Sequence, residues 1–183
     1  IEGIPSGITD QAPEMIPRIG VKLRLNKACE NVRWYGKGPG ESYPDSKESQ
    51  LFGFYENNID GLFTNYVKPQ ENGSRSSCSW TRLLNDRGMG LMVYSQDKFD
   101  FSARFFEDSD LEYAGHTPDL KKRDYITLNI DYKQNGLGSN SCGQSQMEKY
   151  KCRFEKFSLS LKISLYNNKE INDLDLAGEK IIF

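Results

Sequence analysis

Ile19-Gly20-Val21-Lys22-Leu23-Arg24-Leu25 sets apolar residues at every second position, against glycine and basic residues between them. A period of two places successive side chains on opposite faces, so this stretch reads as a half-buried β-strand. The same rhythm recurs in Phe99, Phe101, Ala103 and Phe105, in Ile126, Leu128, Ile130 and Tyr132, and longest in Phe157, Leu159, Leu161, Ile163 and Leu165. Asn31 to Tyr35 reads as another strand, ended by the glycine-rich Gly36-Lys37-Gly38-Pro39-Gly40. Ser76 to Leu84 is expected to set Cys78, Trp80 and Leu84 on one face. Asn85-Asp86-Arg87-Gly88 has hairpin-turn chemistry, with Gly90 to Ser95 as the returning strand. Trp34 and Trp80 are expected in the core. After Glu107, Ser109 or Asp110 is expected to cap a short helix running to Ala114, because acids favour helix N-termini. The class is therefore all-β, with antiparallel strands packed as a sandwich or larger double sheet.

Around these strands, residues 1–15 read as an extended lead-in, 16–166 as the sandwich domain, and 167–183 as a polar tether or last edge strand. The chain has 183 residues, enough for one domain with its own core. It opens on Ile1 without a Met or an apolar leader, and is expected to begin inside a longer protein. Lysine and arginine total 24 against 26 acids, a formal charge of -2. That balance offers nothing to nucleic acid, and no basic amphipathic stretch points to a membrane surface. Cys29, Cys78, Cys142 and Cys152 form no CxxC pair, and His116 is the sole histidine. Neither a metal site nor a cofactor is expected. Reduced cysteines fit a cytoplasmic protein, with a periplasmic or secreted parent as the alternative.

No nucleophile motif, P-loop, zinc-protease motif or dinucleotide fingerprint is present. His116 sits in a loop sequence and reads as structural. Paired carboxylates suit glycoside hydrolysis when they stand about 5–10 Å apart. The candidates are Glu107, Asp108 and Asp110, or Asp97 with Asp100. All lie in hydrophilic runs and are expected to be solvated turns or caps. Three segments combine aromatics, amides and tight-turn glycines: Trp34 to Asp45, Asn65 to Arg75, and Gly136 to Gly143.

Those segments carry a resemblance. Ile16-Pro17-Arg18-Ile19-Gly20, Trp34-Tyr35-Gly36-Lys37-Gly38-Pro39 with Glu41, Tyr43, Pro44 and Asp45, and Pro69-Gln70-Glu71-Asn72-Gly73 with Arg75 and Trp80 resemble the family-two β-galactosidases. His116-Thr117, Leu120 and the loop from Gly136-Leu137-Gly138 to Cys142-Gly143 continue it in order, and the likeness runs from about Ile16 to Leu165. The resemblance implies an antiparallel super-sandwich of the galactose-mutarotase-like type, present here as an incomplete part. It implies a non-catalytic domain at the C-terminal end of a barrel-based retaining β-galactosidase, with both catalytic glutamates in the absent barrel. The partners implied are the remainder of that enzyme and a β-galactoside such as lactose, and unpaired sheet edges suggest a homo-oligomer. The loop holding Asn140, Ser141, Cys142 and Gly143 is implied to touch substrate, with Cys142 standing where relatives often carry a tryptophan. A thiol offers far less apolar area than an indole, so sugar stacking there should be weaker. Tyr35, Tyr43, Asn72, Arg75 and His116 are the further candidates, sugar-facing or bracing the loops. An independent carbohydrate-binding sandwich and, more remotely, an aldose mutarotase are the alternatives.

Overall fold

The computed structural model describes residues 2–3, 14–137 and 146–168. Among them β1 (Glu2–Gly3) and β8 (Phe157–Ser158) form a small two-stranded sheet. The remainder is one antiparallel seven-stranded sheet. Its members are β2 (Arg18–Asn26), β3 (Asn31–Gly38), β4 (Leu51–Asn58), β5 (Arg75–Leu84), β6 (Met89–Arg104), β7 (Tyr125–Gln134) and β9 (Lys162–Asn167). They run in the order β2-β7-β6-β5-β3-β4, and β9 lies beside the first part of β6. Two short helices, α1 (Ile59–Leu62) and α2 (Asp108–Tyr113), interrupt the strands. The all-β antiparallel reading holds, and the described part is sandwich-like in having buried groups on both faces of the sheet.

One face is apolar. Val32, Trp34, Leu83, Val93, Phe99, Phe101, Ile126, Leu128 and Ile130 form its core together with Ile59 and Leu62 of α1. Trp34 is fully buried, donates its indole N–H to the Lys37 carbonyl at 3.0 Å, and meets Phe101 edge-on. Truncating a side chain of this size in a core costs about 3–5 kcal/mol.

The structure corrects several local expectations. β3 does not stop at the glycines but runs to Gly38, because neighbouring strands lean over them. A Cβ on Gly36 would stand 2.4 Å from the Cys78 sulfur, and one on Gly38 would stand 2.7 Å from the Tyr55 ring. The two apolar runs, Gly90–Ser95 and the one that starts at Phe99, belong to the single strand β6, which ends at Arg104, one residue before Phe105. The expected turn between β5 and β6 is present: the Asn85 side chain accepts from Arg87 and Met89 amides, and Gly88 has a φ of 76°. Cys78 does not share a face with Trp80 and Leu84. The register shifts between Cys78 and Trp80, and such an irregularity reverses which residues face the core. Cys78 therefore joins Trp34 in the apolar core, while Trp80 and Leu84 pack with Met92 and Tyr166 in a second cluster. Helix α2 is capped by Glu107, and Asp110 at its third position accepts the Glu107 amide at 2.8 Å. The long run from Phe157 to Leu165 is divided between β8 and β9, with Leu159 buried and Leu165 exposed. β4 carries only weak alternation and was not anticipated.

Candidate functional site at the root of the 138–145 segment

β7 ends at Gln134, and the three residues after it are fixed from several directions. The Asn135 amide donates to the Pro17 carbonyl at 2.9 Å. The Asn135 side-chain oxygen accepts from the Cys152 amide at 3.0 Å and from the Gln146 side chain at 2.7 Å. One side chain thus ties the residues before the 138–145 segment to those after it. Asp45 accepts the Leu137 amide at 3.3 Å, and a Cβ on Gly136 would stand 2.6 Å from the Asp45 carboxylate. A larger residue there would displace the Asp45 and Gln146 side chains.

Beside this root lies a groove of about 840 Å³, bounded by Met15 to Arg18, Lys68 to Glu71, Leu111 and Gln134 to Leu137. That volume falls within the ~300–1,000 Å³ range of small-molecule sites. Its wall, which also includes Asp108, carries a partly buried charged network. Glu71 pairs with Arg18 at 2.7 Å and with Arg104 at 3.1 Å, and accepts the Tyr43 hydroxyl at 3.2 Å. Arg104 also pairs with Asp108, whose carboxylate meets Lys22. Asp131 is 3.5 Å from Arg18 and accepts the Gln134 side chain at 3.3 Å.

Desolvation governs the charges here. Burial pushes the Asp131 carboxyl up to about 7 against the pull of Arg18, with Glu71 and Asp100 adding repulsion. Asp100 is its cross-strand partner, and burial raises it to about 6 although the Ser77 amide donates to it at 2.9 Å. The expectation of a solvated Asp100 is therefore corrected: β6 carries it inward. Asp108 is likewise no free surface acid; burial opposes its charge, but Lys22, Arg104 and Arg18 hold it below the usual carboxylate range. Neither raised acid lines the groove, so neither is placed to exchange a proton with a bound molecule. Tyr43 remains a neutral donor, because burial and the acids Glu71 and Glu41 push its phenol well up.

Of the residues singled out from sequence, Tyr43, Asn72 and Arg75 come together, each about 2% exposed. They brace loops. Asn72 accepts from the Thr64 amide and donates to the Gln70 carbonyl, holding the turn that delivers Glu71. Arg75 donates to the Gly73 and Ser74 carbonyls and lies over the Trp34 ring. Burial lowers its pKa to about 10, so its guanidinium is still charged at neutral pH. Glu41 completes the brace by accepting the Gly73 amide at 2.8 Å and the Tyr66 hydroxyl. Tyr35 lies on another part of the sheet, stacked on Phe54. His116 is largely exposed and stands 4.0 Å from Asp119, whose carboxylate accepts the His116 amide. Asn140, Ser141, Cys142 and Gly143 lie outside the described residues. Arg104 and Asp131 were missed. Both occupy the polar positions of alternating strands, which by pattern belong to a solvated face. Among the described residues no group of three or more His, Cys, Asp or Glu side chains is placed to hold a metal ion. None of their helices is long and apolar enough to cross a membrane.

A family model described as Beta galactosidase small chain matches residues 4–163. A β-galactosidase from Kluyveromyces lactis is 30% identical over 152 residues, covering 83% of this chain and 15% of the relative. One from Actinobacillus pleuropneumoniae is 35% identical over 144 residues, covering 79% and 14%. One from Staphylococcus xylosus is 33% identical over 155 residues, covering 84% and 16%. The chain thus spans about a seventh of the length of these curated relatives.

Proposed function

The chain belongs to the β-galactosidase small-chain family, and from that membership we propose that it serves as a non-catalytic domain of a larger β-galactosidase, completing the substrate pocket. The observation that carries this reading is the fastening of the 138–145 segment at both ends by Asn135, beside an open groove. A segment that presents Asn140, Ser141 and Cys142 to a sugar held elsewhere gains from a rigid root, because positioning errors of about 1 Å cost large factors in rate. The charged network in the wall of the groove supports the same role, since it ties the Ile16–Arg18, Pro69–Asn72 and Gln134–Leu137 segments into one body. The chain supplies no acid and nucleophile of its own in this reading; the barrel of the parent does, and β-galactosides such as lactose are the substrates. Association of the domain with the parent and with further copies belongs to the same proposal.

The test is complementation. This chain is mixed with the parent enzyme truncated just before Ile1, and hydrolysis of a chromogenic β-galactoside is followed. Recovered activity that falls when Cys142 or Asn135 is replaced by alanine supports the reading. Demonstrated association without recovered activity reduces the domain to a scaffold, and hydrolysis by the chain alone overturns the assignment of chemistry.

A further inference from the structure

Sharing no lining residue with the groove at Gln134–Leu137, a second cleft of about 550 Å³ opens where β3 begins, β4 and β9 end, and β5 turns into β6. Amides dominate its wall. Asn31 donates to Asp86 at 3.1 Å, and Asn58 and Asn85 use their side-chain oxygens to accept backbone amides. Those bonds leave capacity over. Among the described residues the Asn31 side-chain oxygen, the second Asp86 oxygen and the side-chain nitrogens of Asn58 and Asn85 have no protein partner, and all belong to cleft-lining residues. Donor and acceptor residues therefore share the wall of one cleft.

Among the described residues that line this cleft, acids and bases are equal in number. Glu56 and Asp86 stand against Arg33 and Arg82, and Arg33 is already paired with Glu56. A simple ion gains little from such a wall, whereas a neutral molecule dense in hydroxyl groups matches donors and acceptors alike. The cleft is also continuous with aromatic surface. Glu56 and Phe54 are two positions apart on β4 and so share a face about 7 Å from each other. Phe54 is 47% exposed and is backed by Tyr35, with ring centres 4.4 Å apart and planes within 18°. Phe52 is 43% exposed and carries Lys98 over its ring, whereas Phe54 is the ring next to Glu56 on that face. A flat aromatic face beside hydrogen-bonding amides suits a pyranose, whose C–H face packs on the ring while its hydroxyls reach the amides.

We propose that the Asn31–Asp86 cleft and the neighbouring Phe54 ring form a second carbohydrate site, taking a neutral oligosaccharide apart from the groove at Gln134–Leu137. This site is independent of the pocket-completing role. It holds sugar to the domain without any reacting bond.

The probe is a β-1,4-linked galacto-oligosaccharide titrated into the full chain, followed by amide chemical shifts and by calorimetry. Saturable binding with shifts at Asn31, Glu56 and Asn85 is the expected result. Asn31→Ala and Phe54→Ala should each weaken binding about fivefold, the worth of one hydrogen bond or one contact of this kind. Asn31 is exposed, so its variant tests the site even if the Phe54 variant loses its fold. No saturable binding by the folded chain overturns the proposal, as do shifts confined to the Gln134–Leu137 region. Binding that disappears on adding a chelator overturns it too, by making the cleft a cation site.

Discussion

The face of the sheet opposite the main core is divided into two regions that solve burial in opposite ways. Over β2, β7 and the second part of β6 it carries Asp100, Ser102, Arg104, Thr127, Asn129 and Asp131, all cross-strand neighbours beneath the loops bearing Tyr43 and Glu71. Over β3, β5 and the first part of β6 it carries Tyr35, Trp80, Met92 and Tyr94, with Tyr166 of β9 beside them. The aromatic region is apolar and partly open, and the buried indole N–H of Trp80 is its chief unmet polar group. The polar region is closed and strained in its hydrogen bonding. Among the described residues Arg104 Nε, Thr127 Oγ1, Asn129 Oδ1, Asp131 Oδ1 and Gln134 Oε1 lack a protein partner. Each such group costs about 1–3 kcal/mol unless buried water reaches it. A hydrophobic filling would hold these strands together at less cost, so the polar one points to a role beyond stability.

The comparison can be broken most directly at Arg104, which is 2% exposed and joins Glu71 to Asp108. Arg104→Ala removes a buried side chain and its bonds to Glu71, Asp108 and the Asn72 carbonyl, while Arg18 and Lys22 still pair with the two carboxylates, and should lower the unfolding free energy by about 3 kcal/mol. Urea unfolding measures it. A loss under about 1 kcal/mol would show the network to be as dispensable as a surface pair.

Asp131 sharpens the contrast through pH. Its folded pKa of about 7 lies above its ordinary value of 3.8, so folding takes up a proton in that interval. Stability from this group is therefore greatest below pH 4 and declines as the pH rises towards 7, by on the order of a few kcal/mol. Asp100, raised to about 6, adds a decline in the same direction. Asp131→Asn should flatten most of this slope while keeping the side-chain shape. A variant with an unchanged stability profile from pH 4 to 7 would mean that the carboxyl is not desolvated as drawn.

The smallest effect belongs to the aromatic region. Phe54→Ala removes a ring that is already half in water, and should cost about 1 kcal/mol, well below the ~3–5 kcal/mol of a buried aromatic. Thermal unfolding read alongside Arg104→Ala ranks the two regions. If Phe54→Ala is the more damaging, the open aromatic surface rather than the polar network holds this end of the sheet.

Alternation of apolar residues was enough to find β2, β3, β7 and both parts of β6, and turn chemistry placed the hairpin at Asn85 to Gly88. The core positions of Trp34 and Val32 followed from the same rhythm. The candidate site was legible in part. Tyr43, Asn72 and Arg75 stood out through the family resemblance, since by residue type alone their segments read equally well as ordinary turns, and the three do converge. Arg104, Asp100 and Asp131 did not stand out, because a charged residue at the polar position of an alternating strand looks the same whether water or a loop covers it.

The amino-acid sequence by itself determined the strand class, the turn and the family resemblance, because these depend on residues within a few positions of one another. The tertiary structure decided what lies over each face. Glu71 and Arg104 are 33 residues apart, and Asp45 and Leu137 are 92 apart. Their pairing sets which charges are desolvated and how firmly Gln134–Leu137 is held. The shift between Cys78 and Trp80 was likewise settled by the partner strand, whose extra residues exchange the two faces. Side-chain periodicity fixes which residues share a face; only the chain that folds over that face fixes its dielectric, and with it the chemistry.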